Sequence, residues 1–306
     1  MTNKIISNFD LQLIPCEGDV KIFNEYNEIL KNYPSCKFHD LPLYLFEDYI
    51  MKRIHYPICC SKFKDLPIFS LIVREHLEKT TEIARRILTL SDDLKTLLKN
   101  SSILTGYEDE LTSDSTKEHP PISLDDDDKV FIDHSSQLEE CIKKGDKASC
   151  IIFPNTPGIE LLHDLIFAYT LVKHHHFLKV TIIVHPYRRL INGVTEFDVH
   201  QLINEFAVNL NKTFANELQE MIQEKKIDLL RDSRLELPLK SVESDSFDGR
   251  NLVILKGDRS FRSFHLNGGK CPNSVFSIRR VYSARQCTDV SLLNGDLCAI
   301  ESLSDQ

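Results

Sequence analysis

The chain has 306 residues, 42% of them hydrophobic and 27% charged, and a formal net charge of −9. That length supports one large or two small globular domains with a full core, and the acidic balance offers no basic face to nucleic-acid phosphates. Nine cysteines, an odd number without a CxxC pair, fit reduced thiols better than a disulfide framework or zinc site; with no leader pattern and no run of about 18 apolar residues to make a membrane span, the sequence reads as a protein of the cytosol or nucleus.

The front of the chain has the helical period. Segments 20–33 (VKIFNEYNEILKNY), 41–56 (LPLYLFEDYIMKRIHY) and 67–90 (PIFSLIVREHLEKTTEIARRILTL) repeat apolar residues at three- and four-residue steps, which predicts an N-terminal helical subdomain over 1–106. Residues 107–128 turn polar and acidic, with Pro120-Pro121 and the run Asp125–Asp128. This predicts a linker or loop. Adjacent carboxylates on a loop lack the preorganisation of a cation site, so the run is a solvated charge stretch.

From 129 to 306 the period changes. KVFID (129–133), ASCIIF (148–153), KVTIIV (179–184), NLVILK (251–256), SVFSIRRVY (274–282) and DLCAI (296–300) are short apolar runs rich in Val, Ile and Phe, the pattern of strands buried on both faces. Helical segments at about 158–175, 198–209 and 213–225 supply crossovers, so this section is an α/β layer structure with a mostly parallel sheet. Ligands of such sheets bind beyond the carboxyl ends of the strands.

Walker, GxGxxG, GxSxG and HExxH motifs are absent, so a site must be assembled from separate turns. Three turns at strand ends are candidates: FPNTPG (153–158), HPYRRLINGVT (185–195) and LKGDRSFR (255–262). In the last, Lys256, Arg259 and Arg262 are cations around a glycine that allows close backbone approach, which suits phosphate; a polar turn whose arginines pair with surface carboxylates is the plainer reading. Asp164 and Glu160 lie four apart on one helix face, where they suit acid/base or metal chemistry, or simply the helix dipole. His174-His175-His176 closes that helix; consecutive positions diverge by about 100° and cannot share one ion, so capping is the better role.

Taken together, GIELLHDLIFAYTLVK (158–173), KVTIIVHPYRRLINGVTEFDV (179–199) and NLVILKGDRSFR (251–262) resemble, in order and spacing, the metal-dependent damage-control phosphatases, in the subgroup also called acidic-residue methyltransferase-like proteins. The front helix LYLFEDYIMKRI (43–54), with Glu47 and Arg53, is similar to that family's N-terminal pattern, and the likeness spans about residues 40 to 295. It implies a Rossmann-like three-layer α/β/α fold with a helical N-terminal part, a divalent cation such as Mn²⁺, Ni²⁺ or Mg²⁺, and hydrolysis of small phosphorylated metabolites, notably sugar phosphates. By the same resemblance Asp164 is the catalytic candidate, Asn155 the metal candidate, and Lys256, Asp258, Arg259, Arg262, Glu47 and Arg53 the substrate-binding set.

The chain departs from the family pattern at the metal. The family's Asp-Asn-Ala-Gly turn is matched by Asn155-Thr156-Pro157-Gly158, or with a shift of one by Pro154 and Asn155, and its Ser-Asp-Val-Thr by Asn192-Gly193-Val194-Thr195. Its upstream Trp-Gly-Asn is matched by Thr105-Gly106-Tyr107, and its Arg-Thr-x-Lys falls near Ala284–Cys287 without the Lys. Two carboxylates are thereby lost from a site for a hard cation, and neutral oxygens compensate poorly for its dehydration. Two expectations follow: a metal-dependent phosphomonoesterase with a weakened metal site, or a non-catalytic relative that holds a phosphometabolite or a protein partner in the same cleft. A methyltransferase role lacks a glycine-rich cofactor fingerprint.

Overall fold

The computed structural model describes residues 31, 81–89, 93–105, 130–144, 149–185, 193–209, 211–231, 252–257, 260–261, 274–281 and 297–302. The predicted helices at 20–33 and 41–56, the acidic stretch 107–128, and the candidates Glu47, Arg53, Asp258, Arg259 and Arg262 lie outside them. The chain divides into two compact units, Met1–Ile68 and Phe69–Gln306, and every element below belongs to the second.

In chain order these are α1 (Thr81–Thr89), α2 (Leu94–Leu104), β1 (Val130–Asp133), α3 (Ser135–Lys144), β2 (Ser149–Phe153), α4 (Ile159–His174), β3 (Lys179–Val184), α5 (Glu196–Asn209), α6 (Lys212–Gln223), β4 (Ile227–Arg231), β5 (Leu252–Lys256), β6 (Ser274–Val281) and β7 (Leu297–Ser302). Several helix starts are explained locally. Asp93 caps α2, its carboxylate accepting from the Thr96 N–H and hydroxyl, and Asn211 caps α6 by accepting from the Phe214 N–H at 3.0 Å. Thr195 and Asp198 form a reciprocal capping box at the start of α5: Thr195 N–H donates to the Asp198 carboxylate at 2.8 Å, and Asp198 N–H to Thr195 Oγ1 at 3.3 Å. Each such cap stabilises by about 1 kcal/mol.

The seven strands form one sheet in the order β1-β7-β6-β5-β2-β3-β4. Strands β6, β5, β2, β3 and β4 are mutually parallel, β7 runs antiparallel to β6, and β1 runs parallel to β7. The mostly parallel α/β sheet expected from the sequence is therefore present. From β2 the chain steps outward through β3 and β4, then returns to add β5 on the other flank of β2. That reversal between β2 and β5 is a topological switch point, where the two strands' carboxyl ends splay a crevice.

Alternation along the strands splits the core into two layers. Cys150, Ile152, Val180, Ile182, Leu252, Ile254, Phe276 and Ile278 face one continuous cluster with α1 to α6; Ile151, Phe153, Ile183, Val253, Leu255 and Val275 face the other side with Phe261. Helix α4 packs against α1, α2, α6, β3 and β4. Being covered on nearly every face, it carries apolar residues all round, and it buries Glu160, His163 and Asp164 with them. Among the described residues no helix is long and apolar enough to cross a membrane.

Candidate functional site

Strand β2 ends at Phe153 and the chain turns through Pro154 to Gly158 into α4, all five residues buried. Gly158 has φ 117° and ψ −138°, a conformation open essentially to glycine alone, and no side chain caps the helix start. Beside this turn lies the end of β5. Gly257 has φ +76°, and a Cβ on it would fall 2.4 Å from Asn155 Oδ1. The third candidate turn also reaches this place. Gly193, with φ 92°, donates its N–H to the Asn155 carbonyl at 2.8 Å, and His185 N–H donates to the Val194 carbonyl at 2.7 Å. Asn155, Gly193 and Gly257, from three separate turns, thus meet at the switch point.

Beneath them is a buried charged cluster. Lys256, at the end of β5, shares the face of Leu252 and Ile254 and is 1% exposed. Its ammonium lies 3.2 Å from Asp164 Oδ1 and 3.6 Å from Glu160 Oε1, and donates to Ser101 Oγ of α2 at 2.6 Å. Glu160 Oε2 accepts from Thr156 Oγ1 at 2.7 Å and from Asn155 Nδ2 at 3.3 Å. Asp164 Oδ2 is buried with no hydrogen-bond partner. Burial, together with the Glu160 charge and against the pull of Lys256, pushes the Asp164 carboxyl up to about 7. On the adjacent position of α4, His163 donates Nε2–H to the Leu97 carbonyl at 2.8 Å, and burial brings its pKa down to about 3, so the ring is neutral.

This arrangement sets what each group can do. Removing one member of a buried ion pair leaves an uncompensated charge and costs about 3–5 kcal/mol, so Lys256 is held beneath the turn and its charge is directed to two carboxylates. The sequence led to the expectation that Lys256 grips an external anion; its ammonium faces inward instead. Asp164 lies one helical turn from Glu160 as expected, against Lys256. Asn155 stands at the crevice, with its amide nitrogen turned to Glu160. Among the described residues no group of three or more His, Cys, Asp or Glu side chains is placed to hold a metal ion. A hard dication needs several anionic oxygens. At the matched family positions this chain has one amide, one hydroxyl already donated to Glu160, and a glycine, so the described donor set does not fit such an ion.

The histidine run ends α4 at His174, with His175 as C-cap and His176 at φ 57°. Burial and the nearby His174 and Lys143 charges hold His175 below the usual imidazole value, opposing the imidazolium that a helix end favours. Sequence reasoning missed Ser101, His163 and Arg279, a buried arginine on β6. Ser101 is in contact with Lys256 from 155 positions away, and no local pattern announces that pairing.

Residues 74–296 match the family model of the damage-control phosphatase ARMT1-like domain. No curated protein matches the sequence. The crystal structure of a DUF89 family protein from Pyrococcus horikoshii is similar with a TM-score of 0.48 and 13% identity, over 93% of this chain and 89% of that one.

Proposed function

Since the chain belongs to the damage-control phosphatase ARMT1-like family, we propose that it binds a small phosphorylated metabolite, a sugar phosphate or related monoester, at the crevice between β2 and β5, without metal-dependent hydrolysis. In this reading the phosphate meets the uncapped N-terminus of α4 and the close-approach backbone of Gly257, with Arg259 and Arg262 as its cations and Asp258 orienting the rest of the ligand. Lys256 anchors the turn from beneath through Glu160 and Asp164. The observation that carries the proposal is the meeting of Asn155, Gly193 and Gly257 at the switch point without a carboxylate on any of them, while, among the described residues, the carboxylates of Glu160 and Asp164 beneath them face Lys256.

The second reading is the family reaction itself, hydrolysis of a phosphomonoester with Mn²⁺, Ni²⁺ or Mg²⁺. Family membership favours it, and it assigns Asn155 to the metal and Asp164 to proton transfer.

Calorimetric titration with inorganic phosphate and fructose phosphates, with and without EDTA, separates the readings when run beside a p-nitrophenyl phosphate assay in Mn²⁺, Ni²⁺ or Mg²⁺. We expect binding that survives EDTA, is weakened by Arg262→Ala, and is not accompanied by turnover. Metal-dependent turnover abolished by EDTA overturns the non-catalytic reading in favour of hydrolysis. Absence of both binding and turnover overturns both, and moves a protein partner to the front.

A further inference from the structure

The carboxyl edge of β6 carries a second buried cation. Arg279 is fully buried, and its guanidinium carbon lies 3.4 Å from the centre of the Phe261 ring. Alternation along β6 groups it with Val275 and Ser277, on the sheet face opposite Lys256, and its Nη1 donates to Ser277 Oγ at 3.4 Å. The pairing of Lys256 with Ile278, carried one step further, brings Arg279 alongside Gly257, where the chain leaves β5.

Two fixed points therefore bracket the turn after β5. At one end the Gly257 backbone is pressed on the Asn155 amide, so closely that a methyl group does not fit. At the other, the Phe261 ring lies against the guanidinium of Arg279. Arginine suits this task because its guanidinium is planar, permanently charged and more weakly hydrated than an ammonium, so it can lie flat on a ring inside a core. Lysine has a point charge and no plane. In the sequence Arg262 is the residue after Phe261, so the ring that Arg279 holds belongs to the direct neighbour of a proposed phosphate cation.

We propose that Arg279 is a positioning residue for the anion-binding turn after β5, acting through the face of Phe261 rather than by touching the ligand. The inference rests on the reading of that turn given under Proposed function.

Two substitutions remove the stack from either side: Arg279→Lys keeps the charge and loses the plane, and Phe261→Leu loses the ring. Amide hydrogen exchange over 257–262 in the unliganded protein and affinity for inorganic phosphate by calorimetry are the readouts, with the thermal midpoint as the control for folding. Each single variant should speed exchange over 257–262 and weaken phosphate binding by about tenfold, the loss of one contact of ordinary cation–π strength. The double variant should bind no worse than either single one, because both remove the same contact. Unchanged exchange over 257–262 in the folded variants overturns the proposal, as does a double variant whose binding losses add. Weaker binding with unchanged exchange also overturns it, since it makes Arg279 a direct ligand. If the wild-type protein binds no phosphate, the reading of the turn fails, and the exchange measurement still decides whether Arg279 orders it. Should Arg279→Lys not fold, Phe261→Leu carries both measurements.

Discussion

Replacing Asp164 with asparagine should change how stability depends on pH more than it changes stability at any one pH. In the folded protein burial and Glu160 push the Asp164 carboxyl from its ordinary 3.8 up to about 7. Between those values the folded state holds a proton that the unfolded chain has released, so this group's contribution is full below about pH 4 and falls by about 1.4 kcal/mol per pH unit until it is lost above about 7. His163 works in the opposite direction. Its pKa is brought from 6.5 down to about 3, so it contributes stability that is present above about 6.5 and lost as pH falls through about 3. Over the window from about 4 to 6.5 the two slopes cancel in the wild-type protein. In Asp164→Asn the His163 slope is unmasked, so the stability difference between variant and wild type grows, in favour of the variant, by about 4 kcal/mol from pH 4 to 7 and then stays level. Urea denaturation followed by circular dichroism, at intervals of about one pH unit from 4.5 to 8, measures this directly. Parallel stability curves for the two proteins would refute the reasoning, because Asp164 would then be ionised against Lys256 over the whole range.

Three further substitutions probe the same cluster. Lys256→Met leaves Glu160 and Asp164 buried without their cation and should cost about 3–5 kcal/mol in urea denaturation at pH 8, and less at pH 5 where Asp164 is protonated. Gly257→Ala places a methyl group 2.4 Å from Asn155 Oδ1 at a left-handed backbone; a loss of at least about 1–2 kcal/mol at constant denaturant slope is expected. Asn155→Asp turns a donor to Glu160 into a third carboxylate and should destabilise the metal-free protein by about 2–4 kcal/mol at pH 8, with added Mn²⁺ raising its thermal midpoint more than that of the wild type. A metal-free Asn155→Asp protein as stable as the wild type would contradict the charge argument for this turn.

Much of the sheet was legible because its strands are buried on both faces. Runs such as ASCIIF, KVTIIV and NLVILK have no other place to go, and they form β2, β3 and β5 within a residue of their expected bounds. The missed strand, β4, reads IDLLR: it lies at the sheet edge, carries Asp228 and Arg231, and buries only Ile227 fully, so it lacks the apolar run that marked the others. The direction of β7 was also hidden, since antiparallel pairing with β6 is settled by contacts distant in sequence. Residues of the three turns singled out in the sequence come together at Asn155, but which way Lys256 points was not legible. Its parity with Leu252 and Ile254 assigns it to the α4 face; because every residue of LVILK is buried, composition alone conceals that alternation.

The charges explain why the crevice holds together with an amide at 155 and a glycine at 193 where the family pattern places carboxylates. Glu160, Asp164 and Lys256 already sum to one excess negative charge, which protonation of Asp164 near neutrality removes. A further carboxylate at position 155 or 156 would point at Glu160 and leave a buried negative charge that only an added cation could balance. Asn155 and Thr156 instead both donate hydrogen bonds to Glu160 Oε2, so the turn satisfies its neighbour from within. Gly193 brings no charge of its own, and its φ of 92° strains any other residue. The turn therefore reaches a balanced state from its own side chains, and in the function proposed above the positive charge that meets the ligand falls to Arg259 and Arg262. In that reading a ligand that carries its own negative charge, such as a phosphate ester, suits the division better than a free dication.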